Sequence, residues 1–232
     1  MLHVLRAFAR GMDGVFIGGC HFNECNYITH GNFHALNMVL LTKKLLEYVG
    51  INPNRLRIRV MSGAEGALYA EHVNAFVAKV YELGPVGAAE GEKASVDEIK
   101  AGIDKLIKLT PYIKLMTNEK MSKKQEITND EVEFFTTEEI NDLLTKKISY
   151  YIEPEKCQAC MTCARRCPVG AVVSAKSQIH VIDQDICIRC GACLAGCPPR
   201  FEAIRKIEAG GEVPPPLPED QRAIVRKAKE NA

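Results

Sequence analysis

Eight of the ten cysteines in this 232-residue chain lie between Cys157 and Cys197, and they repeat one spacing twice. The first copy is Cys157-x2-Cys160-x2-Cys163-x3-Cys167-Pro168, and the second is Cys187-x2-Cys190-x2-Cys193-x3-Cys197-Pro198. Three thiolates two residues apart on a tight turn can grip three corners of one iron–sulfur cubane. The fourth lies beyond that turn and reaches the neighbouring cube. The spacing therefore assigns Cys157, Cys160, Cys163 and Cys197 to one 4Fe–4S cluster and Cys187, Cys190, Cys193 and Cys167 to a second. Each proline ends a ligand loop without a spare N–H. Ala164, Gly170, Ala171, Gly191, Ala192, Ala195 and Gly196 keep side chains short where backbone must approach the cluster sulfurs. The competing metal is zinc, which usually takes C-x2-C pairs separated by longer loops. A disulfide scaffold belongs to small secreted domains.

Composition narrows the rest. Thirty basic side chains face 29 acidic ones, so no global basic field argues for nucleic acid. No apolar run approaches the roughly 18 residues of a membrane span. Arg6, Arg10 and Asp13 interrupt the N-terminal apolar pattern, unlike a signal peptide, so a cytoplasmic location is expected.

Upstream of the cysteine cluster the pattern alternates helix and strand. Residues 3–10 close a helix at Gly11, and 14–18 read as a short buried strand. Residues 20–30 form a polar loop, and 32–49 a helix ended by Gly50 and Pro53. Residues 56–61 read as a second strand. Ser62 and Glu65 then form a capping box before a helix to about 83. The fold class expected is α/β, an incomplete parallel sheet with flanking helices over 1–84, followed by a small α+β bacterial-type dicluster ferredoxin domain over 151–207. Residues 85–150 are expected as a helical linker region. Within it, Gly84 to Ala94 is a flexible boundary, helices start at the Ser95/Glu98 and Thr136/Glu139 boxes and end near 109 and 147, and 116–130 is a mobile loop. Residues 208–232 give a stiff Pro-rich arm and a short charged helix.

Two further thiols, Cys20 and Cys25, follow the first strand, where α/β folds place their sites. They are half of a metal site, with His21 and Glu24 as candidate additional ligands; a redox pair or two unrelated thiols are the alternatives. Ser62-Gly63-Ala64-Glu65-Gly66 at a helix start offers a phosphate cradle or simply a cap. His30, His34 and His72 read as ordinary hydrogen-bonded residues. Arg165, Arg166, Arg189 and Arg200 read as solvated charge or as a docking surface for acidic redox partners.

The stretches DGVFIGGCHFNECNYITHGN and LLTKKLLEYVGINPNRLRIRVMSGAEG resemble the delta subunit of methyl-viologen-reducing hydrogenase, over roughly residues 3–83, with its hallmark at Cys20, His21, Cys25 and Tyr27. That resemblance implies a 2Fe–2S cluster on four cysteines, two of them matching Cys20 and Cys25. The other two ligands would come from another polypeptide or from an upstream segment, one that selenocysteine could hide from gene prediction. It also implies a non-catalytic electron-transfer subunit of an anaerobic, electron-bifurcating complex. The partners implied are a heterodisulfide reductase A-like flavin and iron–sulfur subunit, together with a hydrogenase, formate dehydrogenase or NADH-module-like subunit. The alternatives are a thiol–disulfide redox protein using Cys20 and Cys25, and a metal-free adaptor joined to a ferredoxin wire.

Overall fold

The computed structural model describes residues 1–22, 24–27, 31–92, 94–124 and 129–224. It divides into two compact units, Met1–Leu143 and Leu144–Ala232.

In the first unit, α1 (Leu2–Ala9) leads into β1 (Val15–Gly19), α2 (Asn32–Tyr48), β2 (Leu56–Val60) and α3 (Gly66–Leu83). The order helix, strand, helix, strand, helix is the expected one. β1 and β2 pair in parallel, with Val15 opposite Leu56 and Gly19 opposite Val60, and form a two-stranded sheet. Helix α2 is the hub. Leu36, Val39, Leu40, Leu45 and Leu46 are buried along it, and Leu41, Thr42 and Lys43 are buried too. A helix covered on several sides needs partners for its polar groups. Asn37 Nδ2 donates to the Met121 and Lys123 carbonyls at 3.0 and 2.8 Å, and Lys43 Nζ donates to the Asp130 carbonyl at 2.7 Å.

Those partners come from the region expected as a linker. Residues 85–143 belong to this unit. Helix α4 (Val96–Met121) opens on the expected box, with Glu98 N donating to Ser95 Oγ at 3.3 Å and Ser95 N to Glu98 Oε2 at 2.8 Å. It does not stop near 109. It runs through Pro111 because Leu109, Tyr112, Ile113 and Met121 continue its buried stripe. Packing outweighs the backbone bond that proline removes. The first part of the expected mobile loop is thus helix, and Asp130 beyond it is buried; residues 125–128 lie outside the described residues. Helix α5 (Thr137–Thr145) begins at the expected Thr136/Glu139 box and ends two residues early.

The Gly84 to Ala94 boundary is also corrected. Arg55 is fully buried and donates to the Gly84 and Pro85 carbonyls at 2.7 and 2.9 Å and to Glu92 at 2.7 and 3.0 Å. Glu92 in turn accepts from the amides of Asn52 and Gly87, both at 2.8 Å. Burial raises the Glu92 carboxyl, but Arg55 and these amides outweigh it and hold it below the ordinary carboxylate range. The glycine-rich stretch is therefore tied around an ion pair.

In the second unit, β3 (Ser149–Ile152) pairs antiparallel with β6 (Ile204–Ile207), and β4 (Val172–Val173) with β5 (Val181–Ile182). Helices α6 (Thr162–Arg166) and α7 (Ala192–Gly196) lie inside the two cysteine runs. The Pro-rich arm folds back on its own unit. Arg222 Nε donates to the Leu217 carbonyl, and Ile179 N donates to the Arg222 carbonyl, each at 2.7 Å. The expected charged helix shows a single 3-10 turn at Glu219–Gln221, and its remainder, 225–232, lies outside the described residues.

Candidate iron–sulfur sites

Both cysteine runs share one backbone design. Cys157 N donates to the Glu153 carbonyl at 3.1 Å, and Cys187 N to the Asp183 carbonyl at 3.0 Å. The second residue after each leading cysteine is left-handed, Ala159 at φ 48° and Arg189 at φ 58°. So is the fourth, Met161 at φ 63° and Gly191 at φ 76°. Left-handed backbone costs an L-residue roughly 1–2 kcal/mol. Three non-glycine residues held there in matched places mark an over-determined loop. Alternating backbone handedness turns successive N–H groups inward, the arrangement that cradles anionic centres.

The thiols converge on one core. Cys157, Cys163 and Cys193 are buried with Ile152, Ile182 and Ile204, and Cys167, Cys187 and Cys197 pack against them. Burial, then the neighbouring Cys157 and Cys160, pushes the Cys163 thiol up to about 11. Burial, then Cys187 first among its neighbours, pushes Cys193 up to about 12. Such thiols keep their protons near neutral pH, so a metal must displace them. Burial chiefly raises Cys187 as well, and both Cys167 and Cys190 lie close enough to add to it. That brings the fourth cysteine of the first run to the second run. Backbone donors reach the sulfurs: Ala171 N to Cys167 at 3.2 Å and Arg189 N to Cys187 at 3.4 Å.

A cubane presents its irons at separate corners, and an all-sulfur donor set beside small residues and backbone amides suits it, with Cys157, Cys163 and Cys193 buried, Cys167, Cys187 and Cys197 half-buried, and Cys160 and Cys190 exposed. The flanking arginines divide. Arg165, Arg166 and Arg200 are exposed. Arg189 is buried and donates to the Cys187 and Gln184 carbonyls at 2.8 and 3.3 Å, so it braces the loop rather than facing a partner.

The pair in the first unit is built differently. Cys20 is exposed, Cys25 half-buried, and both are free thiols. They share a hydrogen bond, which first raises Cys20. Backbone N–H groups of Tyr27 and Asn32 lower Cys25. The loop is held by a residue that no sequence motif marks. Asn32, at the start of α2, donates from Nδ2 to the Cys20 and His21 carbonyls at 3.1 and 2.5 Å. Gly31 must lack a side chain, since a Cβ there would strike the Tyr27 carbonyl and Cys25 Sγ.

His21 pairs with an acid, its Nε2 2.6 Å from Glu65 Oε2. That carboxylate also accepts from Ser62 N at 2.6 Å. The Ser62 amide first and the His21 ring second hold Glu65 below the ordinary range. Only half of the expected capping box forms, and α3 starts at Gly66 without a side-chain cap. An acid on that amide also argues against a phosphate there. Glu24 is exposed, and His34 and His72 are half-buried on α2 and α3; His30 lies outside the described residues. No helix among the described residues is long and apolar enough to cross a membrane.

Residues 149–198 match the 4Fe–4S dicluster domain, which makes the second unit an iron–sulfur module. Residues 1–84 match the delta subunit of methyl-viologen-reducing hydrogenase. The chain is 43% identical over 82 residues to the D-type iron–sulfur subunit of the F420-non-reducing hydrogenase of Archaeoglobus profundus, covering 35% of this chain and 59% of that protein. It is 37% identical over 97 residues to the A component of the ferredoxin/F(420)H(2)-dependent CoB-CoM heterodisulfide reductase of Methanosarcina acetivorans, covering 42% of this chain and 12% of that protein. For the A component of the ferredoxin:CoB-CoM heterodisulfide reductase of Methanosarcina mazei the identity is 40% over 85 residues, covering 37% of this chain and 11% of that protein. The chain thus spans less than two thirds of the length of these relatives.

Proposed function

We propose that this chain is a non-catalytic electron-transfer subunit of a cytoplasmic, anaerobic redox complex. It links a hydrogenase-like or comparable donor to a heterodisulfide reductase A-like flavin subunit, in a complex suited to electron bifurcation. The observation that carries the reading is the doubled, strained thiol cradle of the second unit. When bound, iron–sulfur clusters supply one-electron transfer. The residues of the chain bind, exclude water and tune. Cys157, Cys160, Cys163 and Cys197 hold one 4Fe–4S cluster, and Cys187, Cys190, Cys193 and Cys167 hold the other. The amides of Ala171 and Arg189 steady sulfur charge, and exposed Arg165, Arg166 and Arg200 meet an acidic partner surface. The match to about a tenth of the A component of two heterodisulfide reductases favours that partner, because a like segment sits inside such a protein.

The test is anaerobic metal analysis with EPR. About eight iron and eight sulfide are expected in residues 150–207. Cys167→Ser is expected to damage the cluster of Cys187, Cys190 and Cys193 rather than the one nearest in sequence. Zinc in place of iron after anaerobic reconstitution would sink the reading.

In the same proposal, Cys20 and Cys25 bind one iron of a 2Fe–2S cluster whose other ligands come from outside these 232 residues. The specific observation favouring the rival, a redox dithiol, is the mutual hydrogen bond with Cys25 as the better thiolate. Iron beyond eight per chain in the assembled complex, lost in Cys20→Ser, separates the two.

A further inference from the structure

His180 is 1% exposed, and its Nδ1 lies 3.2 Å from Cys163 Sγ. Among the described residues its Nε2 has no hydrogen-bond partner. A buried imidazole is costly to leave half-satisfied, and each such group in a native structure calls for an explanation. No sequence motif marks it.

The internal repeat supplies an explanation. Tyr150 stands seven residues before Cys157, and His180 seven before Cys187. Each lies against the thiols of the other run's cluster. Tyr150 is raised first by burial, then by Cys193, with Cys190 and Cys187 also near. His180 instead meets Cys163. The two halves are thus matched in position and unmatched in chemistry here: an aromatic ring faces one thiol set, and a ring nitrogen faces the other.

Resting on the ligand assignment proposed above, the geometry points to His180 as a positioning residue that donates Nδ1–H to the Cys163 sulfur and raises the reduction potential of that cluster relative to its neighbour. A thiolate bound to iron has no proton to give, so only donation from the ring is open to the pair. That fixes the tautomer with the proton on Nδ1 and leaves the orphaned Nε2 as a bare acceptor. A hydrogen bond to a ligand sulfur stabilises the reduced, more negative state more than the oxidised one, which moves the potential upward. The backbone holds the ring in place from both sides. Ile179 N donates to the Arg222 carbonyl at 2.7 Å on the folded-back arm, and Asp183 N donates to the Ala171 carbonyl at 2.8 Å.

The experiment is an EPR-monitored redox titration of the full chain, anaerobic, comparing wild type with His180→Phe and His180→Asn. Phenylalanine keeps an aromatic ring, as the first repeat does at Tyr150, and removes the donor. Asparagine places an amide N–H near the position of Nδ1. The expected result is a fall in the midpoint potential of one cluster in His180→Phe, the other unchanged, with recovery toward wild type in His180→Asn. A second measurement needs no variant. His180 is the sole histidine after residue 143, so 15N-histidine labelling is expected to give a nitrogen coupling to the reduced cluster of Cys163. Two loaded clusters with unmoved potentials in His180→Phe, or with no nitrogen coupling in wild type, overturn the inference and leave the ligand assignment standing. Wild-type protein that binds zinc instead of iron takes both down.

Discussion

The two units differ in what stands beside their apolar cores. The first is knit by buried charge: Arg55 against Glu92, and Asp130 among Lys43, Arg59 and the Ile58 amide at 2.9, 2.6 and 3.1 Å. Among the described residues the second shows no such ion-pair network at its centre, which packs cysteines with Tyr150, Ile152, Ile182 and Ile204 beside left-handed turns. Eight cysteines in two matched runs and two thiols on one loop teach different things. In the proposed reading the former supply a whole ligand set from within the chain. The latter supply two ligands at most.

Removing iron breaks the comparison most severely. Chelation is expected to abolish the protected structure of the second unit, because its core is built from the ligands themselves. The first unit keeps its structure. Hydrogen exchange read by mass spectrometry separates the two, and equal loss in both would show that the contrast is false. Next in size is Glu92→Ala, which strands the buried Arg55 guanidinium and is expected to cost the first unit about 3–5 kcal/mol in urea denaturation. Asp130→Asn follows at about 3 kcal/mol. Burial pushes the Asp130 carboxyl up, but Lys43 and the Ile58 and Arg59 donors outweigh it, so the folded value lies below the ordinary one. Its contribution is therefore complete above the unfolded value of about 3.9 and disappears as pH falls through the folded value. An acid unfolding curve of Asp130→Asn flatter than wild type below about pH 4 is the expected signature.

Within the second unit, Gly191→Ala is expected to cost about 1–2 kcal/mol, since it puts a Cβ on a left-handed residue. That Cβ would stand 2.8 Å from Tyr150 Oη. The first repeat already accepts Met161 at the same turn, so a neutral result would mean that the two repeats differ less than their packing suggests. The smallest effect is kinetic. In metal-free protein iodoacetamide is expected to modify Cys25 several-fold faster than Cys20, with a pH midpoint below the ordinary thiol value for Cys25 and above it for Cys20. Peptide mapping of the alkylated protein reads both rates.

Much of the molecule is legible in its residues. The order of elements in the first unit follows from hydrophobic period and glycine stops, and the Ser95 and Thr136 boxes start their helices as expected. Other features mislead because local composition is silent about distant partners. The stretch 84–94 looks flexible until Arg55 is brought into it. Arg55, just before β2, alternates in sequence with Arg57 and Arg59 inside it, and Glu92, Asp130 and Glu131 answer them. That alternation is the available signal, and nothing local says which acids it meets. The helix from Ser95 reads as ending near 109 because propensity is local, whereas the buried stripe that carries α4 through Pro111 is a tertiary fact.

By itself the sequence determined the ligand chemistry. Thiolate spacing is a covalent ruler, and two identical rulers can hold only a narrow set of metal centres. Tertiary structure alone decided the roles of the charged and titratable residues. Arg189 and Arg165 look alike in sequence, yet one braces a loop and the other faces solvent. His180 and Tyr150 hold matching places, yet one presents a nitrogen to a cysteine sulfur and the other an aromatic ring. The physical reason is that a covalent spacing acts along the chain, while the energy of a charge or a hydrogen bond depends on burial and on partners that only folding brings within reach.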